Sequence, residues 1–255
     1  MKREKLFIST IDPEAGSLAR QYGLGLEIAE YCTAWNLDEK FEETHAVVTR
    51  ALEGVKRRVF HAPFNELFPC AIDPEARKLA ARRYRQAIAL AKDYGAEKVI
   101  IHGGFNPWLY YPVWYEEQSI LFWLEFLKED PGLPIVLENV LEPEPRMLLS
   151  IIEKVNDPRL NMCLDIGHVN AYAKAPVLEW LQICAPHISH FHIHNNDGSW
   201  DSHSALFEGS IPMEALMKKA STLCPQATFT LELAEAEPSV SWLNEKCGFI
   251  FAPQP

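Results

Sequence analysis

Ile188-Ser-His-Phe-His-Ile-His-Asn195 reads as a strand with one apolar face and one imidazole face. Side chains alternate along a strand, so Phe191 and Ile193 oppose His190, His192 and His194. Seven further runs share its length and apolar character: Lys5–Ile11, Gly23–Glu30, Arg58–Phe64, Lys98–Gly104, Pro134–Val140, Leu160–Gly167 and Ala227–Ala234. Between them lie stretches with helical spacing. Ala80, Tyr84, Ala87, Ile88 and Ala91 form one apolar stripe, with Lys78, Arg82 and Arg85 on the other face. Asp12-Pro-Glu, Asp73-Pro-Glu and Ser210-Ile-Pro-Met-Glu are expected to open helices, because a cap residue followed by proline and an acid suits a first turn.

Strands that alternate with helices imply a parallel sheet. Eight such units in 255 residues fit a closed barrel better than an open doubly wound sheet. The expected class is therefore α/β, a single (β/α)8 TIM barrel domain over residues 1–255. The lack of Gly-x-Gly-x-x-Gly after the first run argues against a dinucleotide fold.

Composition narrows the partners. The chain is 48% hydrophobic, enough for one sizeable core, with no apolar run long enough for a membrane span. Met1-Lys-Arg-Glu-Lys5 does not read as a signal peptide, and six scattered cysteines without a Cys-x-x-Cys pair are expected to be free thiols of a cytoplasmic protein. A net charge of −11 repels phosphate backbones, so no nucleic acid partner is expected.

The strand ends are rich in metal-ligand types: Glu27 and Glu30, His61, His102, Glu138, Asp165 with His168, the three histidines of 190–194, and Glu232. In a barrel of this class the carboxyl ends of the strands carry the chemistry. Period-two alternation sets Val136 and Glu138 against Ile135 and Leu137. It also sets Thr228, Thr230 and Glu232 against Phe229, Leu231 and Leu233. With the greasier faces on the helices, the polar sets converge inside. Several buried carboxylates at one mouth repel each other strongly, and a divalent cation turns that repulsion into shared coordination.

At these residues the sequence resembles the xylose isomerase-like barrel superfamily, which holds sugar isomerases and epimerases, inosose-type isomerases and dehydratases, and endonuclease IV-type AP endonucleases. The carrying segments are His-Ala-Pro-Phe at 61–64, Ile-His-Gly-Gly at 101–104, Leu-Glu-Asn at 137–139, Cys-Leu-Asp-Ile-Gly-His at 163–168, His-Phe-His-Ile-His-Asn-Asn-Asp at 190–197, Asp-Ser-His at 201–203 and Leu-Glu-Leu at 231–233. For a sugar isomerase the resemblance implies one divalent ion (Mn, Mg, Co or Zn) on Glu138, Asp165, His192 and Glu232. It implies substrate contacts at His61, His102 and His168, and a small carbohydrate substrate, phosphorylated or not. Glu138 and Glu232 would pass a proton through a metal-stabilised enediolate. Epimerisation, isomerisation and dehydration all remain open at this point.

The rival branch adds His61, His102, Asp201 and His203 as ligands and holds two or three Zn for phosphodiester cleavage. The chain departs from it three times. His102 precedes Gly-Gly rather than Pro-Gly-Ser, Asn139 precedes Val-Leu-Glu-Pro rather than a glycine-rich loop, and His192 leads into Ile-His-Asn-Asn-Asp rather than Asn-Asp-Ser/Ala-Lys. A non-enzymatic metal-buffering or carbohydrate-binding module explains the ligands but not two facing glutamates. Two softer features remain. The aromatic loop 105–115 reads either as a lid over a sugar or as cover for a helix end or a homodimer contact. The basic run Arg77-Lys78, Arg82-Arg83 and Arg85 reads as a phosphate site or a solvated helix face.

Overall fold

Each apolar run contributes one short parallel strand to the computed structural model, which describes residues 3–248. The strands are β1 (Leu6–Ser9), β2 (Gly25–Ile28), β3 (Arg58–His61), β4 (Val99–His102), β5 (Ile135–Glu138), β6 (Leu160–Asp165), β7 (Ile188–Ile193) and β8 (Thr228–Leu231). They pair in sequence order, and β8 closes on β1 through Leu6–Phe229, Phe7–Thr230 and Ile8–Leu231. The closed (β/α)8 barrel expected from the alternation is the observed one.

The helices are α1 (Ala15–Tyr22), α2 (Ala34–Leu37), α3 (Phe41–Leu52), α4 (Pro74–Asp93), α5 (Pro112–Phe126), α6 (Pro145–Val155), α7 (Ile166–Tyr172), α8 (Val177–Cys184), α9 (Met213–Leu223) and α10 (Glu237–Cys247). Asp73 caps α4 as expected, its carboxylate accepting from the Glu75 amide at 2.8 Å with Pro74 in the first turn. The expectation for Asp12-Pro-Glu needs correction. Asp12 caps no helix, and α1 begins three residues later at Ala15. Its carboxylate instead accepts from the amides of Glu14 and Ala236, both at 2.8 Å, tying the loop after β1 to the loop after β8.

Alternation divides the apolar residues into two sets. Outward-facing residues such as Ile8, Leu26, Phe60, Ile101, Leu137, Leu164, Phe191 and Phe229 join the large core between sheet and helices, with the buried stripe of α4. Phe7, Val59, Ile100, Val136 and Cys163 form a second, smaller cluster inside the barrel. Gly25 is needed there, since a Cβ would lie 2.3 Å from the Phe7 ring. Lys98 and Arg57 close the lower end. Lys98 Nζ donates to Ser189 O and Thr228 Oγ1, and the Arg57 guanidinium lies 5.0 Å from the Phe7 ring centre. Above this floor every inward position near the carboxyl ends is polar, so the core itself delivers the site.

All six cysteines are free, as expected. Among the described residues no helix is long and apolar enough to cross a membrane. The basic run of α4 is spent on neighbours: Arg77 on the carbonyls of Ala71 and Ile72, Lys78 on Glu75, Arg83 on Asp38 and Arg85 on Glu129. This matches the solvated-face reading. In the aromatic loop, Tyr110 packs on Phe68 and Trp114 donates to Cys70 O, while Trp108 and Tyr111 stand more than 80% exposed.

Candidate metal centre

His61, His102, Glu138, Asp165 and His192 lie at the last or next-to-last positions of β3, β4, β5, β6 and β7, and all point inward. Glu232 follows β8 directly. His168 stands in the first turn of α7, where Asp165 accepts from its amide at 2.7 Å. Asn139 and Asp165 exchange hydrogen bonds at 3.0 Å, which locks the end of β5 to the end of β6. Every residue predicted for the site therefore reaches one mouth, Asp201 and His203 included.

Glu138 is the hub. Its Oε2 lies 3.2 Å from His61 Nε2 and 3.6 Å from His102 Nε2, and its Oε1 lies 3.3 Å from both His168 Nδ1 and His192 Nδ1. His192 Nδ1 also faces Glu232 Oε2 at 3.2 Å and Asp165 Oδ2 at 3.7 Å. On the other side, Asp201 Oδ2 lies 3.2 Å from His168 Nε2 and 3.1 Å from His203 Nε2. His102 is held by a stacked Phe64 ring at 4.3 Å, and His203 stacks on His194 at 4.0 Å.

Three features of these residues suit a cation. The first is hydrogen bonding. His192 Nδ1, Glu232 Oε2, His194 Nδ1 and Asp201 Oδ1 are buried without a hydrogen-bond partner, although charged groups crowd them. Orphaned buried polar atoms are costly, so their convergence points to an occupant. The second is spacing. Two donors each about 2.1 Å from one ion, at octahedral to tetrahedral angles, lie about 3.0–3.4 Å apart. Four separations of 3.1–3.3 Å fit that spacing, and Asp165 Oδ2 stands slightly farther from His192 Nδ1 at 3.7 Å. The third is tautomer. His61 Nδ1 donates to Ala62 O at 2.9 Å and His203 Nδ1 to Glu232 O at 2.8 Å, which turns each Nε2 toward a carboxylate as the nitrogen that could bind an ion. Metal-bound histidines show this pattern. The residues fit a divalent cation, and three ligand groups are within reach: His61–His102–Glu138, His168–Asp201–His203, and the set around His192.

Electrostatics agree. Burial alone would raise the Glu138 and Asp165 carboxyls. Instead His192 and His102 hold Glu138 well below the usual range, and His168 and His194 do so for Asp165. Burial pulls His192 and His168 down, but Cys163, Glu27, Glu138 and Glu232 around His192, and Asp165, Asp201 and Glu138 around His168, outweigh it and raise both well above normal. His102, where burial dominates, falls to about 4. Protons on histidines thus offset the carboxylate charges, the task a cation performs on binding.

Three residues at strand ends were given no role by the sequence reading. His194 Nε2 lies 3.2 Å from Asp165 Oδ2. Glu27 is fully buried beside His192, and His190 sits beneath both. The signal was present for the histidines, which share a face of β7 with His192. Glu27 stood at a strand end without a visible partner.

Comparison with known proteins agrees with this architecture. The chain is 32% identical over 185 residues to an uncharacterised protein of Methanocaldococcus jannaschii, a match covering 68% of this chain and 63% of that one. It is 26% identical over 154 residues to a fructoselysine 3-epimerase of Shigella flexneri, covering 57% and 55%. The chain thus spans less than two thirds of the curated relatives it matches. Among solved structures, a D-tagatose 3-epimerase-like protein superposes with a TM-score of 0.75 at 25% identity, covering 96% of this chain and 97% of that one. A Thermus thermophilus protein soaked with ZnCl2 gives 0.75 at 24%, covering 96% and 98%. The xylose isomerase-like TIM barrel family is matched over residues 19–250, and with the barrel and its mouth as described, the chain belongs to that family.

Proposed function

We propose that this chain is a divalent-metal-dependent isomerase or epimerase of a small ketose or related polyol. Glu138, Asp165, His192 and Glu232 would hold the ion, with His61, His102 and His168 toward the substrate. One observation carries the reading. Glu138 and Glu232, from strands three apart around the barrel, approach the same imidazole nitrogen at 3.3 and 3.2 Å. A substrate lying over that nitrogen would have both carboxylates within reach.

A bound ion supplies a Lewis acid for a carbonyl and its neighbouring hydroxyl. Glu138 is buried and held ionised by its histidines, so it is ready to take the proton from the carbon next to the carbonyl. Glu232, partly open to solvent, returns a proton from the other side or exchanges it with water. Return to the opposite face of the same carbon gives an epimer, and return to the adjacent carbon gives an isomer. His168, anchored by Nδ1 to Asn139 O at 2.9 Å, and His102, fixed by Phe64, orient the hydroxyls.

The loops after the strands support an uncharged sugar. In the segments 10–14, 29–40, 62–73, 103–111, 139–144, 166–176, 194–212 and 232–236 the basic residues other than histidine are Lys40 and Lys174. Lys40 is paired with Glu43 at 3.1 Å. A phosphate ester is held by clustered cations or backbone amides, and this mouth is acidic and aromatic.

A second reading rests on the two histidine triads that flank the His192 set. Filled with zinc, they would suit phosphodiester hydrolysis. The same acidic loops count against a DNA substrate, whose binding draws on counterion release by Lys and Arg. Both readings are tested by incubating Mn- and Zn-loaded protein with a panel of free ketoses and inososes in D2O, and with an abasic duplex. The proposal expects deuterium at the carbon next to the carbonyl, with an epimer or isomer as product. Incision of the duplex without sugar exchange would overturn it.

A further inference from the structure

Beneath the site runs a polar column that the proposed chemistry does not use. Lys98 Nζ lies 3.0 Å from Thr228 Oγ1, and Thr228 Oγ1 lies 2.6 Å from His190 Nδ1. His190 Nε2 lies 2.9 Å from Thr230 Oγ1, Thr230 Oγ1 lies 2.6 Å from Glu27 Oε2, and His192 Nε2 lies 3.1 and 3.2 Å from the two Glu27 oxygens. Barrel interiors of this class are usually filled by branched apolar side chains, so a column of this kind asks for a reason.

With a neutral His190, the direction of each bond in the column follows. A carboxylate only accepts, so Thr230 gives its single hydroxyl proton to Glu27. The Thr230 oxygen must then accept from His190 Nε2–H, which leaves Nδ1 of a neutral His190 as the acceptor. Thr228 donates to that nitrogen and accepts in turn from the Lys98 ammonium. Each donor points toward Glu27, and His192 Nε2–H meets it from the other side. With Nε2 donating to Glu27, the nitrogen that His192 offers to an ion, on release of its proton, is Nδ1. That is the atom facing Glu138, Asp165 and Glu232 without a hydrogen bond.

We infer that Glu27 is the positioning residue of the metal centre: it fixes the tautomer and ring orientation of His192, and the Lys98–Thr228–His190–Thr230 column holds Glu27 in place. The inference rests on the metal reading proposed above. Glu27 touches no substrate and moves no proton in it. Its carboxylate raises the basicity of the one imidazole in the His192 set, as carboxylates behind metal-bound histidines do.

The test measures affinity for Zn and Mn by competition with a chromophoric chelator, using full-length wild type, Glu27→Gln and Thr230→Val. Loss of a carboxylate behind a ligand histidine costs roughly 10–100-fold in metal affinity. Glu27→Gln should weaken binding by that factor and keep the wild-type stoichiometry, whatever it does to the thermal midpoint of the chelator-stripped protein. Thr230→Val should weaken binding in the same direction by less. Imidazole 15N spectra of the loaded wild type should show His192 protonated at Nε2 and bound through Nδ1. Affinity of folded Glu27→Gln within about threefold of wild type would overturn the inference, against the roughly 10–100-fold expected. A purely structural Glu27 would show that result with a lowered midpoint of the stripped protein. Should Glu27→Gln not fold, unchanged affinity in Thr230→Val overturns it instead. Wild type that binds no metal overturns both this inference and the reading beneath it, whereas a binding wild type with an unaffected Glu27→Gln overturns this one alone.

Discussion

Replacing Lys98 by methionine should stabilise the barrel at neutral pH and lose that advantage in base. Burial at the barrel floor pulls the Lys98 ammonium from 10.5 down to about 8. At about 1.36 kcal/mol per pH unit, that displacement costs the folded state about 3 kcal/mol while the lysine is charged. Methionine removes the cost, fills similar space, and gives up hydrogen bonds to Ser189 O and Thr228 Oγ1 worth about 1 kcal/mol each. The net gain at pH 7 is about 1 kcal/mol. The sign follows from linkage. Between pH 8 and 10.5 the unfolded chain holds the proton that the folded chain has released, so wild-type stability rises with pH through that window. By pH 10 the cost has shrunk by about 2 kcal/mol, and the variant should be the less stable by about 1 kcal/mol. Urea unfolding of both proteins at pH 7 and pH 10 reads the difference directly, and shifts common to both cancel. A stability difference that stays constant between the two pH values would refute the reasoning, because it would mean the ammonium is not strained by its burial.

Glu138→Gln and Glu232→Gln should each abolish sugar turnover. The loss should exceed the roughly 10²–10⁴-fold expected from a general base alone, since each change also weakens the ion's site; steady-state kinetics of metal-loaded variants measures it. Gly167→Ala should lower the melting midpoint and loosen the site, because its Cβ would stand 1.9 Å from the buried His194 ring. Overpacking of that kind costs typically about 1–3 kcal/mol, and a calorimetric scan with metal competition reads both effects. His203→Ala should raise KM more than it lowers kcat if a single ion sits at His192, and should cost metal content as well if the flanking triads are filled.

Much of this site was legible because a strand converts sequence into direction. Once Phe191 and Ile193 were assigned to the helices, His190 and His192 of β7 and His194 just beyond it had to face inward. The same alternation brought in Glu138 and Glu232, and the observed packing of Phe191 on Phe229 at 4.7 Å is that outer face. The resemblance then supplied Asp201 and His203, which lie on a loop where periodicity says nothing about direction. What stayed hidden depends on pairs across the barrel. Glu27 and His192 are 165 residues apart on strands that are not neighbours, and their meeting is set by strand tilt and closure. Asp12 was misread for a related reason. Asp-Pro-Glu satisfies the local grammar of a helix start, yet the Ala236 amide, 224 residues away, claims the carboxylate.

Metal content per chain tests the central claim most directly. Full-length protein stripped with chelator, loaded with Mn or Zn and passed through gel filtration should retain about one ion per chain, and Glu138→Gln should retain far less. Wild type retaining less than about 0.1 equivalent under conditions where such sites normally fill would contradict the account, and with it the roles given to Glu138, Asp165, His192 and Glu232.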